Sequence, residues 1–174
     1  ISAGQRSSCA RRLILHDGAD ADAFLDVLVS MIARIRVGIY TDEPQPFMGP
    51  VISAAAAERL LGAQDALIAG GAKGIVAMQS MRGIANLLSP GLIDVTSMQK
   101  RDDDELFGPI LQLIRVRDFD AAIEEASRTR YGLAAGLLSD DRSLYETFFR
   151  RVKAGVINFN RPLTGASSAL AFGG

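Results

Sequence analysis

The sequence predicts an α/β domain with a doubly wound, Rossmann-like, mostly parallel sheet flanked by helices. From residue 110 onward the predicted order is strand, helix, strand, helix, strand, which is typical of parallel strands joined by helical crossovers. The chain has 174 residues, enough to bury the core of one domain. Its hydrophobic share of 48% and charged share of 22% are ordinary for a globular protein.

The first half of the chain combines short strands with two long helices. Residues 11–16 are predicted to form a strand. Residues 20–37 are predicted to form an amphipathic helix, because Phe24, Leu28 and Ile32 recur at helical spacing. Three prolines make residues 41–50 a loop. Ser53 is a suitable N-cap for a second helix that reaches about residue 69, where Gly70 and Gly71 end it.

The second half of the chain alternates more regularly. Strands are predicted at residues 74–78, 92–95, 110–116, 133–138 and 156–159, and helices at residues 119–127, capped by Asp118, and 140–152. Ligands of such sheets bind at the carboxyl ends of the strands. This rule predicts a site near Arg117, Ser139 and residues 158–160.

Composition excludes several kinds of partner. The net charge of -1 provides no electrostatic reason to expect nucleic acid or an anionic membrane. A single cysteine, Cys9, allows no intramolecular disulfide and fits a reducing compartment such as the cytoplasm. One histidine and one cysteine cannot supply a metal-ligand cluster, so we expect no metal site. The sequence shows neither a signal peptide nor an apolar run near the roughly 20 residues of a spanning helix.

Residues 4–9 (GQRSSC) are the first polar segment that could carry chemistry. Glycine permits a tight turn, and small polar residues in a turn can direct backbone N–H groups at a ligand. A plain serine-rich loop is the alternative interpretation. The only histidine, His16, lies at a predicted strand end, so no Ser-His-Asp arrangement is evident.

Residues 102–109 (DDDELFGP) are the second such segment. One of its carboxylates could accept hydrogen bonds from ribose hydroxyls, with Phe107 as an apolar wall. The alternative is a solvated acidic loop that ends in a Gly-Pro turn.

Residues 158–168 (NFNRPLTGASS) are the third segment and follow the last predicted strand. Gly165 and its neighbours could present bare N–H groups to a carboxylate. A flexible linker is the alternative interpretation.

The order and spacing of these segments resemble the aldehyde dehydrogenase family. Residues 4–7 (GQRS) resemble its cysteine motif G-[QE]-x-C. Residues 105–109 (ELFGP) resemble its E-x-F-G-P motif, about a hundred residues later as in the family. Residues 172–174 (FGG) resemble P-F-G-G, with Ala171 in place of proline. Five further segments are similar to the succinylglutamate-semialdehyde dehydrogenase branch of the family: residues 46–53, 88–91, 136–141, 158–162 and 164–168.

The resemblance implies an activity and a place for it. A cysteine thiolate attacks the aldehyde, hydride passes to NAD, and water hydrolyses the resulting thioester. In this branch the substrate is a small acidic aldehyde, succinylglutamate semialdehyde, of arginine catabolism. The resemblance implies that Ser7 occupies the position of the nucleophile, that Glu105 binds the nicotinamide ribose, and that Phe107 lies beside the nicotinamide ring. It also implies that Ser8 and the backbone of Gly165 and Ala166 anchor the substrate carboxylate. Phe172 would line the aldehyde pocket.

Serine at position 7 departs from the family pattern. A thiol with a pKa of about 8.5 is partly thiolate at neutral pH, whereas an alkoxide is far less accessible without a base. An ester is also a poorer product of hydride transfer than a thioester. We therefore expect near-total loss of oxidation. The sequence is equally compatible with an engineered trap and a natural loss of function.

A second departure concerns the extent of the chain, since it begins at Ile1 and ends in a small-residue segment. The expectation is that residues 1–174 are a catalytic-domain fragment. The family's NAD-binding domain, with its base glutamate and oxyanion asparagine, and its C-terminal oligomerisation tail would then lie outside it. The full-length parent would be a homo-oligomer, a dimer, and the fragment would expose apolar surface where the missing parts pack.

Three other interpretations remain open at this point. The substrate could be glutamate semialdehyde or another acidic aldehyde. The chain could be a non-catalytic paralogue kept for assembly or binding, which Ser7 and Ala171 favour and the intact E-x-F-G-P segment disfavours. Cys9 could be the nucleophile of another class, such as an acyl transferase. The choice between NAD and NADP also stays open, because the contacts to a 2′-phosphate would lie in the absent domain.

Overall fold

The computed structural model describes residues 3–164, which form eight strands and four helices. In chain order these are β1 (Arg12–His16), α1 (Ala19–Ala33), α2 (Ala54–Ala69), β2 (Lys73–Val76), β3 (Ser80–Met81), β4 (Ile84–Leu88), β5 (Gly91–Asp94), β6 (Ile110–Val116), α3 (Phe119–Ala126), β7 (Ala134–Leu137), α4 (Arg142–Arg151) and β8 (Val156–Phe159).

The main sheet has four strands in the order β1-β6-β5-β2. β6 pairs in parallel with both neighbours, with Leu13 opposite Leu113 on β1 and Leu92 opposite Leu111 on β5. The edge strand β2 is antiparallel to β5. The sheet is therefore mostly parallel, as predicted.

Helices cover both faces of this sheet. Side chains alternate between faces along a strand, so Leu111 and Leu113 belong to the apolar cluster that includes Leu25 of α1. Ile110 and Ile114 belong to the opposite cluster, which includes Leu60 of α2. This two-sided burial explains why β6 is a nearly continuous apolar run and could be predicted to the residue.

β7 and β8 form a separate parallel pair, in which Ala134 lies opposite Val156. A third apolar cluster packs α3 and α4 against this pair through Ile123, Phe148 and Val152. In the described part of the chain β7 is not a neighbour of β6, although the two are joined by a helix. Periodicity reveals where strands are and not which strands pair, so the sequence did not show this division.

Two further local predictions need correction. α1 ends at Ala33 and not at residue 37, because Val37 forms a parallel bridge with Met48. The β3–β4 hairpin was not predicted. It is joined by Arg82 and Gly83, both with positive φ, as a two-residue type I′ turn requires.

Helix caps agree well with the sequence. The Ser53 hydroxyl accepts a hydrogen bond from the Ala56 amide and caps α2, and the Asp118 carboxylate accepts one from the Ala121 amide and caps α3. Asp141 caps α4, one residue after the predicted start. Within residues 3–164 no helix has the length and apolar character needed to cross a membrane.

Large apolar side chains are exposed on several elements. Val27 and Met31 of α1 are more than half exposed, and so are Phe47, Ile52 and Leu138.

Candidate functional site

The nucleophile-like segment and the E-x-F-G-P-like segment meet at one edge of the sheet. Residues 4–10 lead into β1, and residues 105–109 lead into β6. Because β1 and β6 are parallel neighbours, their amino ends lie side by side. Residues about a hundred positions apart in sequence are thereby brought together by strand pairing.

Two glycines form the closest contact between these segments. A Cβ atom added at Gly4 would lie 2.0 Å from the carbonyl oxygen of Gly108 and 2.6 Å from its carbonyl carbon. Gly4 also has φ +75°, a conformation that side chains disfavour. On the other side of Gly108, an added Cβ would meet Leu60 at 2.4 Å. At Gly4 the absence of a side chain lets the two backbones approach each other, whereas a side chain at Gly108 would displace Leu60.

Gln5 fixes the same segment from a third direction. Its side-chain oxygen accepts a hydrogen bond of 2.9 Å from the amide of Ile52, just before the cap of α2. Ala3, the first described residue, is buried among the residues of the apolar cluster beneath. The turn that carries Ser7 is therefore anchored before and within the motif.

Arg11 joins the two segments through its side chain. Its Nη1 atom lies 2.7 Å from Oε1 of Glu105, and its guanidinium carbon lies 4.3 Å from the centre of the Phe107 ring. The same group donates to the carbonyl oxygens of Ser7, at 3.4 Å, and Arg6, at 3.3 Å. Sequence reasoning missed Arg11 and treated it as the start of a strand.

Ser7 is exposed at the tip of this turn, while Ser8 and Cys9 are half-buried. The turn is closed by the Cys9 amide, which donates 3.0 Å to the Arg6 carbonyl. His16, the only histidine of the sequence, lies at the opposite end of β1, where its Nε2 is 3.1 Å from the Arg117 carbonyl. The histidine is therefore not placed to activate Ser7.

The aspartates of the acidic segment are exposed, as a solvated loop predicts, yet three of its four carboxylates, those of Asp103, Asp104 and Glu105, have distinct partners. Asp103 accepts hydrogen bonds from the Thr129 hydroxyl at 2.6 Å and the Arg130 amide at 2.7 Å. Partial desolvation raises the pKa of the Asp103 carboxyl. The two hydrogen bonds and the nearby arginines lower this pKa by more, so it lies below its ordinary value. Glu105 is the acid that turns towards the nucleophile-like segment.

Arg12 has different partners from Arg11 and holds the end of α3. Its guanidinium donates to the carbonyls of Glu125 and Ala126 at 2.9 and 3.1 Å. Burial lowers the pKa of Arg12, and the charges of Glu125 and Asp103 oppose that shift. Beside it lies a cavity of about 530 Å³ lined mainly by residues 98–103 and 128–130. None of the predicted site residues within residues 3–164 lines this cavity.

The carboxyl ends of the strands, where the sheet rule predicted a site, hold other residues. β6 has seven residues, so Arg117 lies about 20 Å from the end that carries Glu105, at roughly 3.3 Å per residue. Ser139 and Asn160 do come together after β7 and β8. The Asn160 side chain accepts from the Ser139 amide at 3.0 Å and donates to the Ser139 carbonyl at 2.9 Å. The general rule for open α/β sheets thus points away from Ser7 and Glu105.

Some predicted residues lie outside the described part of the chain. Gly165, Ala166 and Phe172 are in this position, so Ser8 is the one described residue of the proposed anchor, and the proposed pocket wall is not described. Among residues 3–164 no group of three or more histidine, cysteine or acidic side chains could hold a metal ion.

This arrangement can present a nucleophile beside a binding wall. Ser7 is exposed on an anchored turn, a half-buried carboxylate lies close to that turn, and Phe107, with 39% of its surface exposed, offers a ring face or edge to a planar ligand. A carboxylate that accepts from hydroxyl groups and an aromatic ring that packs against a heterocycle are suited to a nucleoside.

Comparison with known proteins gives the arrangement a family context. A model of the aldehyde dehydrogenase family matches residues 1–174. Two curated relatives, both named N-succinylglutamate 5-semialdehyde dehydrogenase, are 54% identical in Hahella chejuensis and 48% identical in Serratia proteamaculans over 174 residues. Each match covers 100% of this chain and 36% of the relative, so the chain spans about a third of their length.

Solved structures have the same fold. PnpE from Pseudomonas sp. WBC-3 superposes with a TM-score of 0.89 at 29% identity, covering 99% of this chain and 36% of that one. A 1-pyrroline-5-carboxylate dehydrogenase from Thermus with bound NAD superposes with a TM-score of 0.85 at 32% identity, covering 95% of this chain and 31% of that one. PnpE is also known in complex with nicotinamide adenine dinucleotide.

Proposed function

Because this chain belongs to the aldehyde dehydrogenase family, we propose that it is the catalytic-domain part of a longer NAD-dependent dehydrogenase for N-succinylglutamate 5-semialdehyde. The product would be N-succinylglutamate. One observation carries the substrate: two relatives with this name match the whole chain at 54% and 48% identity. Their greater length supports the view that further domains complete the enzyme.

The geometry supports the site assignment in this proposal. Ser7 is exposed at a turn that Gly4, Gln5 and Arg11 hold in place, as a nucleophile position requires. Ser8, the next residue, would help to anchor the acidic head of the substrate, together with the backbone of Gly165 and Ala166. Phe172 would line the aldehyde pocket.

Glu105 and Phe107 fit the nicotinamide end of NAD. The Glu105 side chain retains 22% of its exposure, so a hydroxyl group can reach it. The Phe107 ring lies beside the Arg11 guanidinium, which also contacts Glu105. When bound, NAD supplies the acceptor for the hydride that leaves the substrate carbon. The residues of this chain would bind its ribose and limit the position of its ring.

The protein with Ser7 should be inactive or nearly so. Nucleophilic serine needs an adjacent base, and the one histidine of the chain is hydrogen-bonded at the far end of β1. A non-catalytic role in assembly or binding is therefore the second candidate function, and Ser7 is the observation that favours it.

NAD reduction by the full-length protein tests both candidates. Three forms are compared, the protein with Ser7, Ser7→Cys, and Ser8→Cys, on succinylglutamate semialdehyde and on glutamate semialdehyde. Ser8→Cys is the matched control, because it places a thiol one residue further along the same turn. We expect turnover only from Ser7→Cys, with the higher kcat/KM for the succinylated substrate.

Each other result has a definite meaning. Equal rates for the two cysteine variants would show that Ser7 is not the nucleophile position. A preference for glutamate semialdehyde would change the substrate. Turnover by the Ser7 form would refute its inactivity. NAD binding without turnover by any form would favour the non-catalytic role.

A further inference from the structure

We propose that Arg11 is a positioning residue that holds Glu105 and Phe107 in the orientation that receives the nicotinamide riboside of the cofactor. This inference rests on the proposed function. It assigns a role to a residue that sequence motifs did not single out. One guanidinium group contacts four parts of the site, namely the Glu105 carboxylate, the Phe107 ring and the carbonyls of Arg6 and Ser7.

The contact with Glu105 is short and partly shielded from water. Nη1 lies 2.7 Å from Oε1, and the two side chains keep only 17% and 22% of their exposure. Charge-assisted hydrogen bonds of this length are the stronger ones in proteins. The bond engages Oε1, and Oε2 remains able to accept a hydrogen bond from a ribose hydroxyl.

The contact with Phe107 uses a different part of the same group. The guanidinium carbon lies 4.3 Å from the ring centre, within the range of a cation–π interaction. Since a guanidinium is planar and carries five fixed donors, one orientation serves the carboxylate, the ring and the two carbonyls. A lysine ammonium could keep the charge near Glu105 and could not reproduce the whole set.

One further donor of Arg11 is unused within the described residues. Its Nε atom is buried and has no hydrogen-bond acceptor among residues 3–164. A buried donor without an acceptor is costly and calls for an explanation. A guanidinium kept in place despite this cost is consistent with an orientation selected by its other contacts.

The same contacts also fit a simpler role. Arg11 could stabilise only the turn of Arg6 and Ser7, with Glu105 as a convenient counter-ion. The two roles differ in what depends on Glu105. A positioning residue affects NAD affinity through the Glu105 carboxylate. A residue that only stabilises the turn would affect NAD affinity equally whether or not that carboxylate is present.

Calorimetric titration of the full-length Ser7 protein with NAD separates the two roles, because binding is measured without turnover. The variants are Arg11→Gln, Arg11→Lys, Glu105→Gln and the double variant Arg11→Gln/Glu105→Gln. Arg115→Gln is the matched control, since Arg115 also bridges carboxylates, those of Asp17 and Asp22, at the far end of β6.

We expect Arg11→Gln to raise the Kd for NAD about tenfold, the size of coupling common between charged groups in contact. In the Glu105→Gln background the same substitution should change the Kd less than about twofold, because the partner through which it acts is gone. Arg11→Lys should recover part of the affinity, and Arg115→Gln should bind NAD as the parent does. In the Ser7→Cys background, Arg11→Gln should raise KM for NAD and leave KM for the aldehyde nearly unchanged.

Two results would overturn the inference alone. One is a Kd for NAD that Arg11→Gln does not change. The other is a tenfold rise in this Kd on Arg11→Gln that persists in the Glu105→Gln background. Failure of the parent protein to bind NAD at all would overturn the proposed function as well as this inference.

Discussion

Substitution of Gly4 by alanine should separate the two segments of the candidate site. The added methyl carbon would lie 2.0 Å from the Gly108 carbonyl oxygen and 2.6 Å from the carbonyl carbon. Both of these are backbone atoms at the entrance to β6, so no flexible side chain can move aside. The carbonyl can retreat only if the β6 entrance or the turn before β1 shifts.

The magnitude follows from two separable terms. A left-handed backbone at a residue other than glycine costs about 1–2 kcal/mol, and Gly4 has φ +75°. Overpacking of a close contact adds about 1–3 kcal/mol. The expected loss is therefore about 2–5 kcal/mol, a large part of the roughly 5–15 kcal/mol that stabilises a typical domain.

Gly83→Ala is the matched control for the strain term. Gly83 has φ +66° in the β3–β4 turn, and an added Cβ there meets nothing within 4 Å. Its substitution should cost the backbone strain alone, about 1–2 kcal/mol. The assay is urea unfolding of the full-length protein, with the free energy of unfolding extrapolated to water for each variant.

The difference between the two variants is the quantity that tests the reasoning. Gly4→Ala should lose about 1–3 kcal/mol more than Gly83→Ala, because only it encounters the Gly108 backbone. Losses equal within about 0.5 kcal/mol, the usual limit of additivity, would refute the close approach as a determinant of stability.

Four further substitutions have expected outcomes that the same protein can check. Gly62→Ala should stabilise the protein by about 1 kcal/mol in urea unfolding, since the site is inside α2 and open around the added Cβ; a loss would show an unseen contact. Ser53→Ala should cost about 1 kcal/mol at pH 7 and pH 4 alike, because the capping hydroxyl does not titrate. Asp118→Ala should instead cost more at pH 7 than at pH 3. The Ala121 amide, and then Arg117, hold the pKa of the Asp118 carboxyl in the folded protein below 3.8. The carboxylate therefore stabilises the protein at pH values above its pKa in the unfolded chain, and this stabilisation is lost as the pH falls through its pKa in the folded protein. Equal costs at both pH values would contradict this. Asn160→Ala should speed hydrogen exchange of the Ser139 amide about fivefold, as loss of a bond worth near 1 kcal/mol implies, and unchanged exchange would argue against that bond.

Local patterns in the sequence were sufficient for most secondary structure. β6 and β8 were predicted to the residue, because alternation and apolar runs report burial of a strand directly. The caps at Ser53 and Asp118 were predicted because a cap is a contact between residues three positions apart. The β3–β4 hairpin was missed, since β3 has only two residues and offers no period to detect.

The site was only partly predictable. The resemblance singled out Ser7, Glu105 and Phe107, and strand pairing places their segments together. The general rule for α/β sheets pointed to Arg117, at the opposite end of β6. Arg11 was missed although it adjoins the motif, because its assignment to a strand does not reveal the partners of its side chain.

By itself, the sequence determined the α/β class, the order of its elements apart from the β3–β4 hairpin, the family resemblance and the departure at Ser7. Only the tertiary structure decided that Gly4 touches Gly108 and that Arg11 joins Glu105 to the carbonyl of Ser7. The physical reason is range. Propensity, capping and periodicity act over a few residues, whereas the Gly4–Gly108 and Arg11–Glu105 contacts span about a hundred residues and exist only because β1 pairs with β6 in one register.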